Sequence, residues 1–119
     1  MNIEYLKENG VDVDSGLELL GDIDTYNDIL KEFITNNEER LFKIDNYKNN
    51  GDMENYAIEV HALKGDSKYL GFTKLAELSL NHQLKSQDND IEYVNNNYDE
   101  LINEANRILD ISKKYLNIK

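Results

Sequence analysis

The sequence predicts an all-α protein, an antiparallel up-down four-helix bundle with a short N-terminal helix or two. Apolar residues recur at intervals of three and four through most of the chain, which is the period of an amphipathic helix. No segment shows sustained alternation of apolar and polar residues, so no strand is predicted. The 119 residues include no proline, which suits long helices because proline removes a backbone donor and clashes with the preceding turn.

The chain length fits one domain with one hydrophobic core. We assign residues 1–119 to a single domain, in which residues 1–22 form an N-terminal cap segment and residues 24–117 form the bundle. Short helices are predicted over 3–8 and 15–20 within the cap segment.

The first long helix is predicted from near Asp24 to about Asn49, because Asp24 or Thr25 can accept hydrogen bonds from the free amides of its first turn. Gly51 can adopt the left-handed conformation that closes a helix. The inward stripe of this helix comprises Tyr26, Leu30, Phe33, Leu41 and Ile44, widened by Ile29 and Ile34.

Asp52 is predicted to cap the second long helix, which ends near Leu70. After Gly71, Thr73 is predicted to cap a third helix that ends near residue 86. The last helix starts near Asp90. Short connections between four amphipathic helices favour antiparallel neighbours.

The inward stripe of the last helix comprises Val94, Tyr98, Leu101, Ala105, Ile108, Ser112 and Tyr115, and the tyrosine hydroxyls are expected to face water.

Composition excludes several classes of partner. The chain carries 24 acidic and 13 basic residues, which gives a net charge of -11. Because proteins bind nucleic acid and anionic lipid through clustered Lys and Arg, neither is an expected partner. No run of roughly 18 apolar residues exists, so no membrane insertion is predicted. The N-terminus lacks the residue order of a signal peptide, which predicts a cytoplasmic protein. Without cysteine, thiolate metal sites are excluded.

The second long helix has a core face and an outward face. Successive helical residues rotate by roughly 100°, which separates the two faces by on the order of 120°. The core face comprises Tyr56, Val60, Leu63, Ser67 and Leu70, and the outward face comprises Ala57, His61, Lys64, Gly65 and Lys68. His61 is therefore predicted on the surface, with two lysines one and two turns further along.

Most surface histidines on helices have no function, but Gly65 indicates that His61 has one. A glycine inside a helix costs about 0.8–1.0 kcal/mol relative to alanine, and nothing in the sequence compensates for it. A glycine beside His61 clears the way for the backbone of another molecule. Neutral imidazole offers one nitrogen as a nucleophile, and a lysine about one turn away can offset the charge of a phosphoryl group.

These residues resemble the core motif of histidine-containing phosphotransfer (HPt) domains. That motif has a histidine, leucine two residues on, lysine at three, a small residue at four and Leu-Gly at nine and ten. The matching residues are His61, Leu63, Lys64, Gly65, Leu70 and Gly71, and the resemblance extends over roughly residues 11–115.

The resemblance implies that His61 is the phosphorylated residue and nucleophile. Many HPt domains carry a glutamine 22 residues after this histidine, here Gln83, whose amide oxygen would accept from Nδ1 of His61 and leave Nε2 free. Lys64 would stabilise the phosphoryl group and Gly65 would give docking clearance. Lys68 is assigned to phosphoryl stabilisation from its charge alone. His82, next to Gln83, is expected to be structural or exposed.

The resemblance further implies a phosphoryl carrier that is not an enzyme and has no cofactor or metal of its own. A monomer is expected because a bundle with a buried core has no need to dimerise. Its partners would be response-regulator receiver domains, with Mg²⁺ bound by the receiver, and a hybrid histidine kinase is a further candidate partner. Docking would use the surface around His61, with Val13, Leu17 and Leu20 adding contact area.

Two alternative functions need residues that this sequence lacks, and a third does not. A di-iron or di-manganese bundle needs Glu-x-x-His pairs, but the residues three before His61 and His82 are Ile58 and Ser79. A kinase needs a glycine-rich phosphate loop, which the sequence lacks. The remaining alternative is a non-catalytic HPt-like helical module that docks a receiver or kinase without carrying phosphate.

Overall fold

The computed structural model describes residues 1–118 as six α-helices, and no strand occurs among those residues. The prediction of an all-α bundle with a helical N-terminal segment is confirmed. The predicted domain end at Lys119 lies outside the described residues. The helices are α1 (Ile3–Glu8), α2 (Val13–Leu20), α3 (Ile23–Asn49), α4 (Met53–Leu70), α5 (Thr73–Gln87) and α6 (Ile91–Leu116).

Helices α3 to α6 form the bundle. Each packs against the next along the chain, and α6 returns to pack against α3, while α1 lies on α6 and α2 lies on α3 and α4. The connections are short enough to reverse the chain between neighbours, and each contains one residue with positive φ, namely Gly51, Gly71 or Asn89. The core between the helices includes the predicted inward stripes of α3 and α6.

Aspartate side chains begin three of the four bundle helices. Asp52 accepts from the backbone N–H of Asn55 at 3.2 Å, as predicted. Asp90, near which the last helix was predicted to start, accepts from the backbone N–H of Tyr93 at 3.0 Å. The predicted cap of α3 at Asp24 or Thr25 is wrong. Asp22 accepts from the backbone N–H of Thr25 at 2.8 Å, so the helix starts earlier.

The predicted cap of α5 at Thr73 is also wrong. Thr73 is the first helical residue, and the position before it is Phe72, whose side chain makes no capping hydrogen bond. The Phe72 ring is instead buried, with its centroid 5.3 Å from that of Phe33. The core therefore uses the position that a polar cap would occupy.

Two polar contacts fix the N-terminal segment to the bundle. The backbone N–H of Asp12 donates to the carbonyl of Gly71 at 2.8 Å, at the end of α4. Arg107 holds the buried carboxylate of Glu104 through Nε and Nη2, both at 2.8 Å, and its Nη1 donates to the carbonyl of Asn9 at 2.9 Å. Both contacts lie in the connection between α1 and α2, so they hold the end of α1 and the start of α2 against the bundle.

His82 lies in the core with 1% of its surface exposed, which agrees with a structural role. Its Nε2 is 3.1 Å from the carbonyl oxygen of Asn97, and a carbonyl only accepts, so Nε2 carries the hydrogen. Nδ1 therefore accepts, and the hydroxyl of Tyr56 donates to it at 2.8 Å. One neutral imidazole thus links α4, α5 and α6.

The hydroxyls of Tyr98 and Tyr115 were predicted to face water, but both bond to α3 instead. Tyr115 donates to Oδ1 of Asn27 at 2.8 Å, and Tyr98 donates to Oδ1 of Asp45 at 2.9 Å. Both acceptors lie on α3. The two bonds close the bundle on the side opposite the contact between α4 and α5.

Two glycines of the α4 region differ in what surrounds them. Gly71 has φ of 82°, and a Cβ added there would overlap the carbonyl of Asp12. Gly65 has ordinary helical backbone, and a Cβ added there would meet no atom within 4 Å. Packing within the chain requires glycine at position 71 and not at position 65.

We expect Gly65→Ala to raise the free energy of unfolding by about 0.5–1 kcal/mol, because alanine is the better helix former and meets open space. Gly71→Ala is the matched control, and it should lower that free energy by more than about 1 kcal/mol because of the strained φ and the overlap with Asp12. Urea unfolding of both variants measures the difference. A destabilised Gly65→Ala variant would contradict the expectation.

Acid should destabilise the fold through His82. Burial lowers the pKa of His82 below its ordinary value of 6.5, so near that pH the unfolded chain binds a proton that the folded chain excludes. The contribution of neutral His82 to the free energy of unfolding is complete above about pH 6.5. It is lost progressively as the pH falls from there toward the pKa of His82 in the folded protein.

Urea unfolding at about pH 7.5, 6.5 and 5.5 tests this dependence. The control His82→Gln lacks the titrating group and should show a shallower loss over that interval. The carboxyl of Asp22, whose pKa lies below 3.8, contributes only in stronger acid. Equal slopes for the two proteins would rule out His82 as the source.

Candidate functional site

The side chain of His61 projects from the exposed face of α4. The five residues predicted to form the core face of this helix (Tyr56, Val60, Leu63, Ser67 and Leu70) are all buried, which confirms that face. His61 lies on the opposite part of the helix surface and is exposed. Ala57, predicted on the same outward face, is instead buried at 7% exposure. It lies one turn before His61, where α5 covers the helix.

Gln83 on α5 lies beside the His61 ring. Nδ1 of His61 and Oε1 of Gln83 are 3.0 Å apart. An amide oxygen only accepts, so this contact assigns the hydrogen to Nδ1 and leaves the lone pair on Nε2. Among residues 1–118, no group hydrogen-bonds Nε2. The ring is therefore held at one nitrogen and open at the other.

A cleft of about 700 Å³ runs along the surface from His61 toward the connection between α5 and α6. The first half of α4 forms one wall, with Glu54 and Ile58, and the end of α5 forms the other, with Ser86 and Gln87. No lysine or arginine among residues 1–118 lines it. Sequence analysis missed this cleft, although Ile58, three residues before His61, shares its helix face.

Exposed apolar side chains lie on both helices of the site. Ile58 has 58% of its surface exposed, and Leu80 and Leu84 on α5 are also exposed. Leu80, three residues before Gln83, lies on the side of α5 that carries Gln83, whereas Leu84, the next residue, is rotated from Gln83 by roughly 100°. His61 therefore lies within a partly apolar surface.

The two candidate lysines lie at different distances along α4. Lys64 follows His61 by three residues, about 4.5 Å along the axis, and Lys68 follows by seven, about 10.5 Å. Lys68 lines a separate small cleft of about 150 Å³, shared with Ser15 and Thr73. Neither lysine takes part in an ion pair within the described part of the chain. The spacing favours Lys64 over Lys68 for contact with a group on His61.

Arg40 on α3 balances two carboxylates on the neighbouring face of α4. Its Nη1 donates to Asp66 at 2.7 Å, and its Nε lies 3.8 Å from Glu59. Asp66 directly follows Gly65 in the chain, so an unpaired charge there would lie close to the open surface. The ion pair turns that carboxylate toward α3 and offsets its charge.

The docking contribution predicted for Val13 is wrong. Only 1% of Val13 is exposed, because α2 turns this side chain into the core. Leu17 and Leu20 are half-buried, so part of each remains on the surface of α2.

The described helices offer neither a cluster of metal-binding side chains nor a membrane-spanning segment. Among residues 1–118, no three His, Asp or Glu side chains converge as they would around a metal ion. None of the helices described above is long and apolar enough to cross a membrane.

Comparison with known protein families gave one match, to the Hpt domain, over residues 28–110. Comparisons with curated proteins and with solved structures found no match. The matched residues run from the first turns of α3 into α6 and include His61, Gly65 and Gln83. They make up more than half of the chain, and the protein therefore belongs to the Hpt domain family.

Proposed function

We propose that this protein carries a phosphoryl group on Nε2 of His61 in a two-component phosphorelay, accepting it from the phosphoaspartate of one receiver domain and passing it to another. The observation that carries the proposal is the 3.0 Å contact between Nδ1 of His61 and Oε1 of Gln83. It holds the ring at Nδ1, so that in the neutral imidazole the lone pair lies on Nε2, on an exposed face, as a nucleophilic nitrogen requires.

The transfer step forms one bond and breaks one. The lone pair of Nε2 attacks phosphorus, an N–P bond forms, and the bond between phosphorus and the aspartate oxygen breaks with its electron pair on the carboxylate. A carboxylate is a good leaving group, so His61 needs no general acid beside it. Nδ1 keeps its hydrogen, and its bond to Gln83 strengthens as the ring becomes positive. The return step reverses these changes.

Lys64 and Gly65 have complementary roles in this proposal. The ammonium group of Lys64, about one turn beyond His61, offsets the negative charge of the phosphoryl oxygens. Gly65 leaves bare backbone beside the ring, so that the receiver can bring its phosphoaspartate within reach of Nε2. Lys68, about two turns away, contributes through its longer-range field.

The partners follow from the chemistry. A receiver domain supplies the acyl phosphate and the Mg²⁺ that neutralises it, while this chain contributes the acceptor nitrogen and a docking surface formed by the cleft and the apolar residues around it. A hybrid histidine kinase is a possible source of the first receiver. We place the exchange in the cytoplasm and treat the carrier as a monomer.

Labelling tests the acceptor. Incubated with a receiver domain phosphorylated with ³²P, the protein should acquire label that is stable to base and labile to acid, as phosphohistidine is. His61→Ala should remove the label completely. The control Asn106→Ala changes an exposed residue of α6 and should label like the unaltered protein.

Label that persists in His61→Ala would overturn the assignment of His61. If the unaltered protein takes no label from any receiver of its own cell, it is instead the non-catalytic docking module. Binding to a receiver without transfer would be the corresponding positive result for that module.

Gln83 should affect transfer without affecting the fold. Gln83→Ala removes only the acceptor for Nδ1, on a half-buried side chain, so we expect slower transfer or a shorter phosphohistidine lifetime, by about tenfold or more. The melting temperature should change little. Gln87→Ala, one turn further on the same cleft wall, is the matched control for the lost amide.

A large fall in melting temperature accompanying the loss of transfer in Gln83→Ala would point to packing instead of ring orientation.

A further inference from the structure

Two hydrogen bonds between side chains join α4 to α5, and they differ in burial. His61 and Gln83 form the first at the surface, with 3.0 Å between Nδ1 and Oε1. Tyr56 and His82 form the second in the core, with 2.8 Å between the hydroxyl and Nδ1. Tyr56 precedes His61 by five residues on α4, and His82 is the immediate neighbour of Gln83 on α5. The same two short segments therefore carry both bonds.

The buried bond constrains the relative position of the segments more than the exposed bond does. Tyr56 is fully buried and His82 has 1% exposure, so neither group can exchange its partner for water. Sliding or rotating α5 against α4 would leave the Tyr56 hydroxyl and the His82 nitrogen unpaired in the core. The exposed pair has no such penalty, because water can replace either partner.

Two further contacts hold the backbone at the base of Gln83. Nε2 of His82 donates to the carbonyl of Asn97 at 3.1 Å, which ties this turn of α5 to α6. The buried hydroxyl of Ser86 lies 2.7 Å from the carbonyl oxygen of His82 and 3.0 Å from that of Gln83. The Cα of Gln83 is thus held from α4, from α6 and from within its own helix.

We propose that the buried chain Tyr56–His82–Asn97 is a positioning device for the site, which sets the register of α5 against α4 and so keeps Oε1 of Gln83 within hydrogen-bonding reach of Nδ1 of His61. The part of this inference that concerns transfer rests on the proposed function. Tyr56 and His82 touch no reacting atom. They act through Gln83 on the tautomer and the orientation of His61.

The neutral state of His82 is part of the device. Its Nδ1 accepts from Tyr56 only while that nitrogen is unprotonated. The groups that face it are Tyr56 from α4 and Tyr93 and Glu100 from α6, and burial outweighs the charge of Glu100 so that its pKa stays below the ordinary value.

Tyr56→Phe tests the device, because it removes one hydroxyl and keeps the ring that fills the core. The matched control is Tyr115→Phe, which removes a hydroxyl from an equally long bond, 2.8 Å, between α6 and α3. The first readout is the ¹⁵N NMR spectrum of the His61 ring, which distinguishes protonation at Nδ1 from protonation at Nε2. The second is the rate of phosphoryl transfer from a phosphorylated receiver.

We expect Tyr56→Phe to convert the His61 ring from protonation at Nδ1 to a mixture of tautomers. Transfer should slow by on the order of tenfold, less than the hundredfold that a displacement of about 1 Å can cause. Tyr115→Phe should leave both readouts unchanged at a similar fall in melting temperature. In a Gln83→Ala background, Tyr56→Phe should cause no further loss, because its effect passes through Gln83.

Equal effects of Tyr56→Phe and Tyr115→Phe on both readouts would overturn the proposal, as would additive losses with Gln83→Ala. If Tyr56→Phe does not fold, His82→Gln removes the same bond while its amide nitrogen can still donate to Asn97, and the same shift in tautomer is expected. The NMR readout needs no receiver. It therefore tests the positioning device even if the unaltered protein takes no phosphoryl group and the proposed function fails.

Discussion

The arrangement of the site depends on the tight turn between α4 and α5. Only Gly71 and Phe72 separate the two helices, and the left-handed backbone of Gly71 permits the reversal. A turn of fixed length determines which residue of α5 comes opposite each residue of α4. His61 lies ten residues before Gly71 and Gln83 lies twelve after it, so the two meet. One inserted residue would rotate the facing side chain by roughly 100° and separate them.

Local signals accounted for most of the helices. Asp52, Asp90 and the glycines of the turns mark helix ends by chemistry that acts over three or four residues, and the helical period marks the buried face of α4. The start of α3 was assigned to Asp24 or Thr25, whereas Asp22, just before them, caps the helix; capping preference alone does not separate these neighbouring polar residues. The predicted cap of α5 was wrong for a different reason. The position before the helix is Phe72, whose ring packs against Phe33 in the core, and this packing outweighs the preference for a polar cap.

Contacts between residues far apart in the chain could not be predicted from the sequence. The burial of Val13 depends on how the N-terminal segment docks, and the acceptors of Tyr98 and Tyr115 lie on a helix more than fifty residues earlier in the chain. Position 83 was singled out by its resemblance to a family pattern, because nothing local in α5 distinguishes it from other polar residues. The cleft beside His61 required two helices at once, and Ile58 was its only local trace.

The pairing of His61 with Gln83 spans 22 residues, and that of Tyr56 with His82 spans 26, whereas the bonds from Tyr115 to Asn27 and from Arg107 to Asn9 span 88 and 98. Closing a short loop costs less chain entropy than closing a long one, and contacts of low sequence separation form early in folding. The site therefore lies within a single helical hairpin, the most local unit of the bundle. Its geometry is set by chain segments that find each other without waiting for the two ends of the protein to meet.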